Sequence, residues 1–148
     1  MTEKDYIRKL KRALEQYFPI SVKNLNRVLE NLPEKTKELD IIIFPSQDAD
    51  GIFSIQVSLS GPDLYVLNKS IESISDVLDV RNVEEELSPD VPVVDDLDVD
   101  YDLNQTLVRI VSEWIADVWK VVNKEGLKLP VTCFANEDYE LDLPKKLN

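Results

Sequence analysis

Apolar positions near the start of the chain recur every three or four residues. Tyr6, Ile7, Leu10, Leu14 and Tyr17 form one stripe, which predicts a helix from Glu3 to about Tyr17 with Thr2 as its N-cap. Pro19 lacks an amide proton and crowds the turn before it, so it reads as the end of that helix. Ser21 then caps a second helix in which Val22, Leu25, Val28, Leu29 and Leu32 share a face, and Pro33 closes it. The short connection predicts an antiparallel helix pair. The period then changes from 3.6 to 2. Leu39 to Phe44 is rich in β-branched and aromatic residues, Asp48-Ala49-Asp50-Gly51 is turn chemistry, and Ile52 to Ser60 alternates. Phe53, Ile55, Val57 and Leu59 point to one side and Ser54, Gln56, Ser58 and Ser60 to the other, the pattern of a hairpin with one dry and one wet face. Gly61-Pro62-Asp63 ends it, and Pro62 opens a short helix to about Asn68.

Alternation returns at Leu97, Val99, Tyr101 and Leu103, interleaved with Asp96, Asp98, Asp100 and Asp102. Built as a strand, this segment buries an apolar face and presents a row of carboxylates about 6–7 Å apart. A long helix follows from Leu103 or Asn104 to Asn123, with Asp102 as N-cap and Gly126 as its stop. Its apolar positions cover roughly half the cylinder, which places it between the sheet and the helix pair. A last strand, Leu127 to Ala135, precedes a polar tail containing Pro144. At 148 residues the pattern predicts one α+β domain over 1–148, with the helix pair and the long amphipathic helix packed on a small, mainly antiparallel sheet.

Charge changes the picture more than hydropathy does. Lys and Arg number 17, Asp and Glu 29, and there is no His, for a net charge of −12. Chemistry that depends on imidazole is excluded: no Ser-His-Asp triad, no Cys-His pair, no His-bound zinc. A single cysteine, Cys133, excludes an intrachain disulfide and any multi-Cys metal site, and its apolar surroundings read as inert core. The acidity disfavours direct binding to nucleic-acid phosphate or anionic lipid. No apolar run approaches the roughly 18 residues of a membrane span, and the charged N-terminus carries no secretory signal, so a cytoplasmic location is expected. The charge is also unevenly spread. Residues 1–38 hold nine bases and six acids, whereas residues 71–102 hold twelve acids and only Arg81.

Several constellations invite a chemical reading. Ser46 to Gly51 is similar in spacing to the start of a calcium loop, but the chelating position 12 is Val57 and strands flank it, so a hairpin turn is the better reading. The carboxylates of 96–102 alternate along a line and do not converge on one ion, and nothing sets two acids across a cleft as glycoside hydrolysis requires. With three glycines in the chain there is no phosphate-cradling loop. The expected chemistry is therefore none: no catalytic residues, no cofactor and no metal. The expected activity is docking. Glu84, Glu85, Glu86, Asp95, Asp96, Asp98, Asp100 and Asp102 supply a single-sign field suited to a basic protein, with Tyr101, Leu97 and Trp119 as candidate apolar anchors. The competing readings are a solvated sheet edge, an adaptor using an apolar face of the long helix, a divalent-metal hydrolase built on the Asp cluster, and a DNA mimic.

Size, acidity, the lack of catalytic motifs and the α+β pattern together resemble the small immunity proteins of bacterial toxin systems. That resemblance implies stoichiometric inhibition of a basic toxin domain. The run Val131-Thr132-Cys133-Phe134-Ala135-Asn136-Glu137-Asp138-Tyr139, with Pro144-Lys145-Lys146-Leu147, is similar to the C-terminal end of a group of uncharacterised bacterial proteins of this length, and it implies no functional residue. The partner's identity and the oligomeric state are not legible in the sequence.

Overall fold

The stripe that begins at Tyr6 does not stop at Pro19. A computed structural model of the chain describes residues 1–80 and 91–148, and in it α1 runs unbroken from Glu3 to Glu30. The expected helix pair is one 28-residue helix. Tyr6, Leu10, Leu14, Tyr17, Ser21, Leu25 and Val28 stay in phase through the proline, and all are buried. Ser21 is a member of the stripe and caps nothing. Pro19 lies on the exposed side, where carbonyls freed from the helix ladder can turn to water. A proline inside a helix costs about 3 kcal/mol. Two helical halves that bury one continuous face on one core outweigh that cost.

The sheet has the order β3-β2-β1-β4-β5. β1 (Glu38–Pro45) and β2 (Phe53–Ser60) form the expected antiparallel hairpin, with Ile41 opposite Val57 and Ile43 opposite Ile55. After β2, Asp63 caps the short helix α2 (Leu64–Ser70) by accepting from the Val66 amide at 3.1 Å. β3 (Asp76–Asp79) then pairs antiparallel with β2, across a register shift at Ile55/Gln56. The sequence pattern did not predict β3: only Val77 and Leu78 are buried between its two aspartates. α3 (Leu103–Val121) carries the chain across to β4 (Val131–Ala135), which lies parallel to β1. β5 (Lys145–Lys146) closes the far edge antiparallel to β4. Three of the four pairings are antiparallel, so the fold is α+β with a mainly antiparallel sheet.

Both long helices cover one face of this sheet. α3 meets β1, β4 and α1, and α1 meets β3. α1 and α3 run parallel: Thr106 Oγ1 donates to Glu3 Oε1 at 3.3 Å near their starts, and the Asn123 amide donates to Asn26 Oδ1 at 2.9 Å near their ends. Phe18 and Trp114 pack edge-to-face between them, with ring centroids 6.3 Å apart. Asn24 Nδ2 donates to the Val77 carbonyl at 2.9 Å, which ties α1 to the edge strand. α3 therefore does not lie between the sheet and the N-terminal helix, the place that the width of its apolar face predicted: it lies beside α1 on the same face of the sheet, and its wide apolar face is divided between the strands and α1. Cys133 is fully buried on β4, and burial pushes its thiol up to about 12, with Lys145 pulling weakly the other way. It is core and not a nucleophile.

The turn between β1 and β2 depends on Gly51. Its φ is +96°, and an added Cβ would collide with the carbonyl oxygen of Pro92. The Val94 amide donates to the Asp50 carbonyl at 2.8 Å, so residues 92–94 are laid directly on this turn. Gly51→Ala is expected to cost about 3 kcal/mol, combining left-handed backbone strain with overpacking. A urea unfolding midpoint equal to that of the parent would show that residues 92–94 are not held there.

Candidate docking surface

Three loops gather at one end of the sheet. The β1–β2 turn leaves Pro45 there, β4 ends there at Ala135, and the segment 91–102 leads there into α3. Asn104 Nδ2 donates to the Ser46 carbonyl at 3.1 Å and the Asn136 amide donates to the Ile43 carbonyl at 3.1 Å, so α3, the turn and the loop after β4 are stitched together. Segments 46–52, 91–102 and 136–140 contain Asp48, Asp50, Asp95, Asp96, Asp98, Asp100, Asp102, Glu137, Asp138 and Glu140, and no lysine or arginine. Among the described residues none of these ten carboxylates has an ion-pair partner. The acids beside them in the first turn of α1 are paired: Asp5 with Arg8 at 3.2 Å and Glu3 with Arg109 at 3.9 Å.

Two helix N-termini offset the repulsion. α1 and α3 both begin at this pole, where the helix dipole favours negative charge. Asp102 caps α3 by accepting from the Gln105 amide at 3.0 Å, as its place in the sequence predicts. The negative field is visible at two phenols. Tyr101 is raised from its ordinary value first by burial and then by Glu3, Asp100 and Asp5. Tyr139 is raised by burial and then by Glu137 and Asp102, with Asn104 acting against them.

The expected strand over 97–103 is absent. Asp96–Asp98 is a single 3-10 turn, Asp95 caps it by accepting from the Leu97 amide at 3.0 Å, and Val99 is extended. Short carboxylates offered the backbone local hydrogen bonds in place of a ladder, and a strand would have aligned like charges on one face. The turn reverses the burial expected for Leu97, whereas Val99 and Tyr101 are half-buried and Leu103 is buried. Leu97 is 88% exposed at its apex, with Asp96 and Asp98 beside it, and Val93 is 64% exposed just before. Met1, Thr2 and Leu97–Asp100 line one open depression, so Met1 adds apolar surface next to Leu97.

The other candidate anchors lie elsewhere. Tyr101 is half-buried, its ring 6.3 Å from that of fully buried Tyr6, and serves to pack the segment onto α1. Trp119 is 2% exposed near the end of α3, with the Lys124 ammonium 5.6 Å from its ring centroid. Trp119 is therefore core, far along α3 from the acidic pole, and not a docking residue. The apolar faces of α3 are likewise consumed by the core; Val121, 60% exposed, stands apart at the C-terminus. Glu84, Glu85 and Glu86 lie outside the described residues. Ser46 to Gly51 is a hairpin turn, held by Asp48 N–H to Ser46 Oγ and Ile52 N–H to Asp50 Oδ1. Among the described residues no three carboxylates or thiols are grouped to hold a metal ion, and no helix is long and apolar enough to cross a membrane. Glu137, Asp138 and Glu140 were missed as members of the acidic surface. They are more than thirty residues from Asp102 in the chain, and only the parallel β1–β4 pairing brings them to the same end.

Residues 1–145 match the model of a family of unknown function, DUF6389. No curated protein and no solved structure matches the chain.

Proposed function

As this chain belongs to DUF6389, a family of unknown function, we propose from its own surface that it is a non-catalytic binding protein whose acidic pole docks a basic protein. The observation that carries this reading is Leu97, 88% exposed on a turn of carboxylates that no described lysine or arginine neutralises. An apolar knob inside a ring of charge combines two useful effects. The field speeds encounter and selects partners of opposite sign. Burying one leucine side chain contributes about 2 kcal/mol and slows release. The small size, the acidity and the lack of catalytic motifs support the reading of an inhibitor of a basic toxin domain, acting in the cytoplasm. An adaptor that docks on α3 is disfavoured, because that face is already packed against the sheet and α1.

The test is co-purification from the native host, followed by titration of the captured protein at low and high salt. Affinity should fall by about tenfold or more between 50 mM and 500 mM salt, mainly through slower association. A complex of salt-independent affinity would remove the acidic pole as its basis.

A further inference from the structure

The face of the sheet opposite the helices carries a groove of about 430 Å³ beside the β1–β2 turn. Sheet register builds it. Phe44 points to this outer face, with Ser54 as its neighbour on β2 and Asp79 beyond on β3. On the other flank the β1–β4 register ends at Ile43–Ala135, which leaves Asn136 beside Phe44. A half-buried aromatic ring thus lies between small or polar side chains, with the turn rising at its end. Asp48 on that turn is exposed and without an ion-pair partner among the described residues, and no described lysine or arginine lines the groove.

We infer that this groove receives an arginine side chain of the basic partner, its stem along Phe44 and its guanidinium between the ring and the Asp48 carboxylate. This rests on the docking reading above, and it extends that surface around the β1–β2 turn from residues 92–94 on one side to Phe44 on the other. Three features select the ligand. The aromatic floor attracts a weakly hydrated, planar cation, for which guanidinium is better suited than ammonium. The carboxylate supplies charge and a bidentate acceptor. Ser54 and Asn136 line the groove and carry side-chain oxygens able to accept, and among the described residues no cationic group is there to repel the ligand.

The probe is N-acetyl-arginine amide, which carries the side chain and no charged terminus, followed through the backbone amide shifts of the full chain. Saturable shifts at Gln47, Asp48, Ser54 and Asn136 are expected with a dissociation constant of about millimolar order, and N-acetyl-norleucine amide should give none. Asp48→Asn should weaken binding about three- to tenfold, and Ser54→Leu, which fills the space beside Phe44, should abolish it. Shifts spread over all exposed carboxylates, or equal affinity in Asp48→Asn, would overturn the assignment. Spermidine saturating the groove while the arginine probe is silent would also overturn it, in favour of a free polyamine. The probe is independent of the partner, so its failure leaves the docking reading standing. The triple variant Asp96→Lys, Asp98→Lys, Asp100→Lys should weaken partner docking at least about a hundredfold, yet at physiological salt leave probe affinity within about twofold.

Discussion

Changing Asp96, Asp98 and Asp100 together to lysine is expected to weaken the complex with the basic partner by at least about a hundredfold while leaving the protein folded. The three side chains are exposed, make no ion pair and cap no amide among the described residues, so the fold loses little by their replacement. Stability should stay within about 0.5 kcal/mol of the parent. Asp95 and Asp102 are left in place because each accepts a backbone amide, and their removal would confuse a docking effect with a lost cap. The association rate should fall most, since the reversed turn repels the partner before contact. Leu97→Ala makes the complementary change: it keeps the field, removes the knob, and should raise the dissociation rate. Calorimetric affinity and stopped-flow association together separate the two contributions. A triple variant that binds as the parent does would end the docking reading.

Trp119→Ala is expected to lower stability by about 4 kcal/mol, a large share of what a domain of this size possesses. The indole is 2% exposed, and its ring carries the Lys124 ammonium, which also donates to the Trp119 and Val122 carbonyls at 2.6 and 2.9 Å. Truncation would leave a cavity at the end of α3 and loosen the turn that leads to β4. Trp119→Phe should cost far less, about 1 kcal/mol, because the indole N–H has no hydrogen-bond partner among the described residues to lose. Thermal and urea unfolding measure both. If Trp119→Ala leaves stability unchanged, the residue is not core, and its role as an anchor reopens.

Local pattern determined much of this molecule. The hairpin, the cap at Asp102, the span of α3 and the inert cysteine follow from periods of 2 and 3.6, from short polar residues at helix starts and from burial preference, all of which act within a few residues. Pro19 and the 96–102 run show where such rules are overridden. For Pro19 the deciding energy is burial of one continuous stripe from Tyr6 to Val28 against elements that come later in the chain. At 96–102 no strand among the described residues pairs with the segment, so side-chain capping wins and Leu97 is turned outward. Composition alone established that the chain is acidic and that its negative charge is concentrated after residue 70. Only the tertiary structure decided that the 95–102 carboxylates meet Asp48, Asp50 and Glu137–Glu140 at one pole. The parallel β1–β4 pairing and the parallel α1 and α3 bring those loops together, and contacts between residues distant in sequence leave no periodic trace in it.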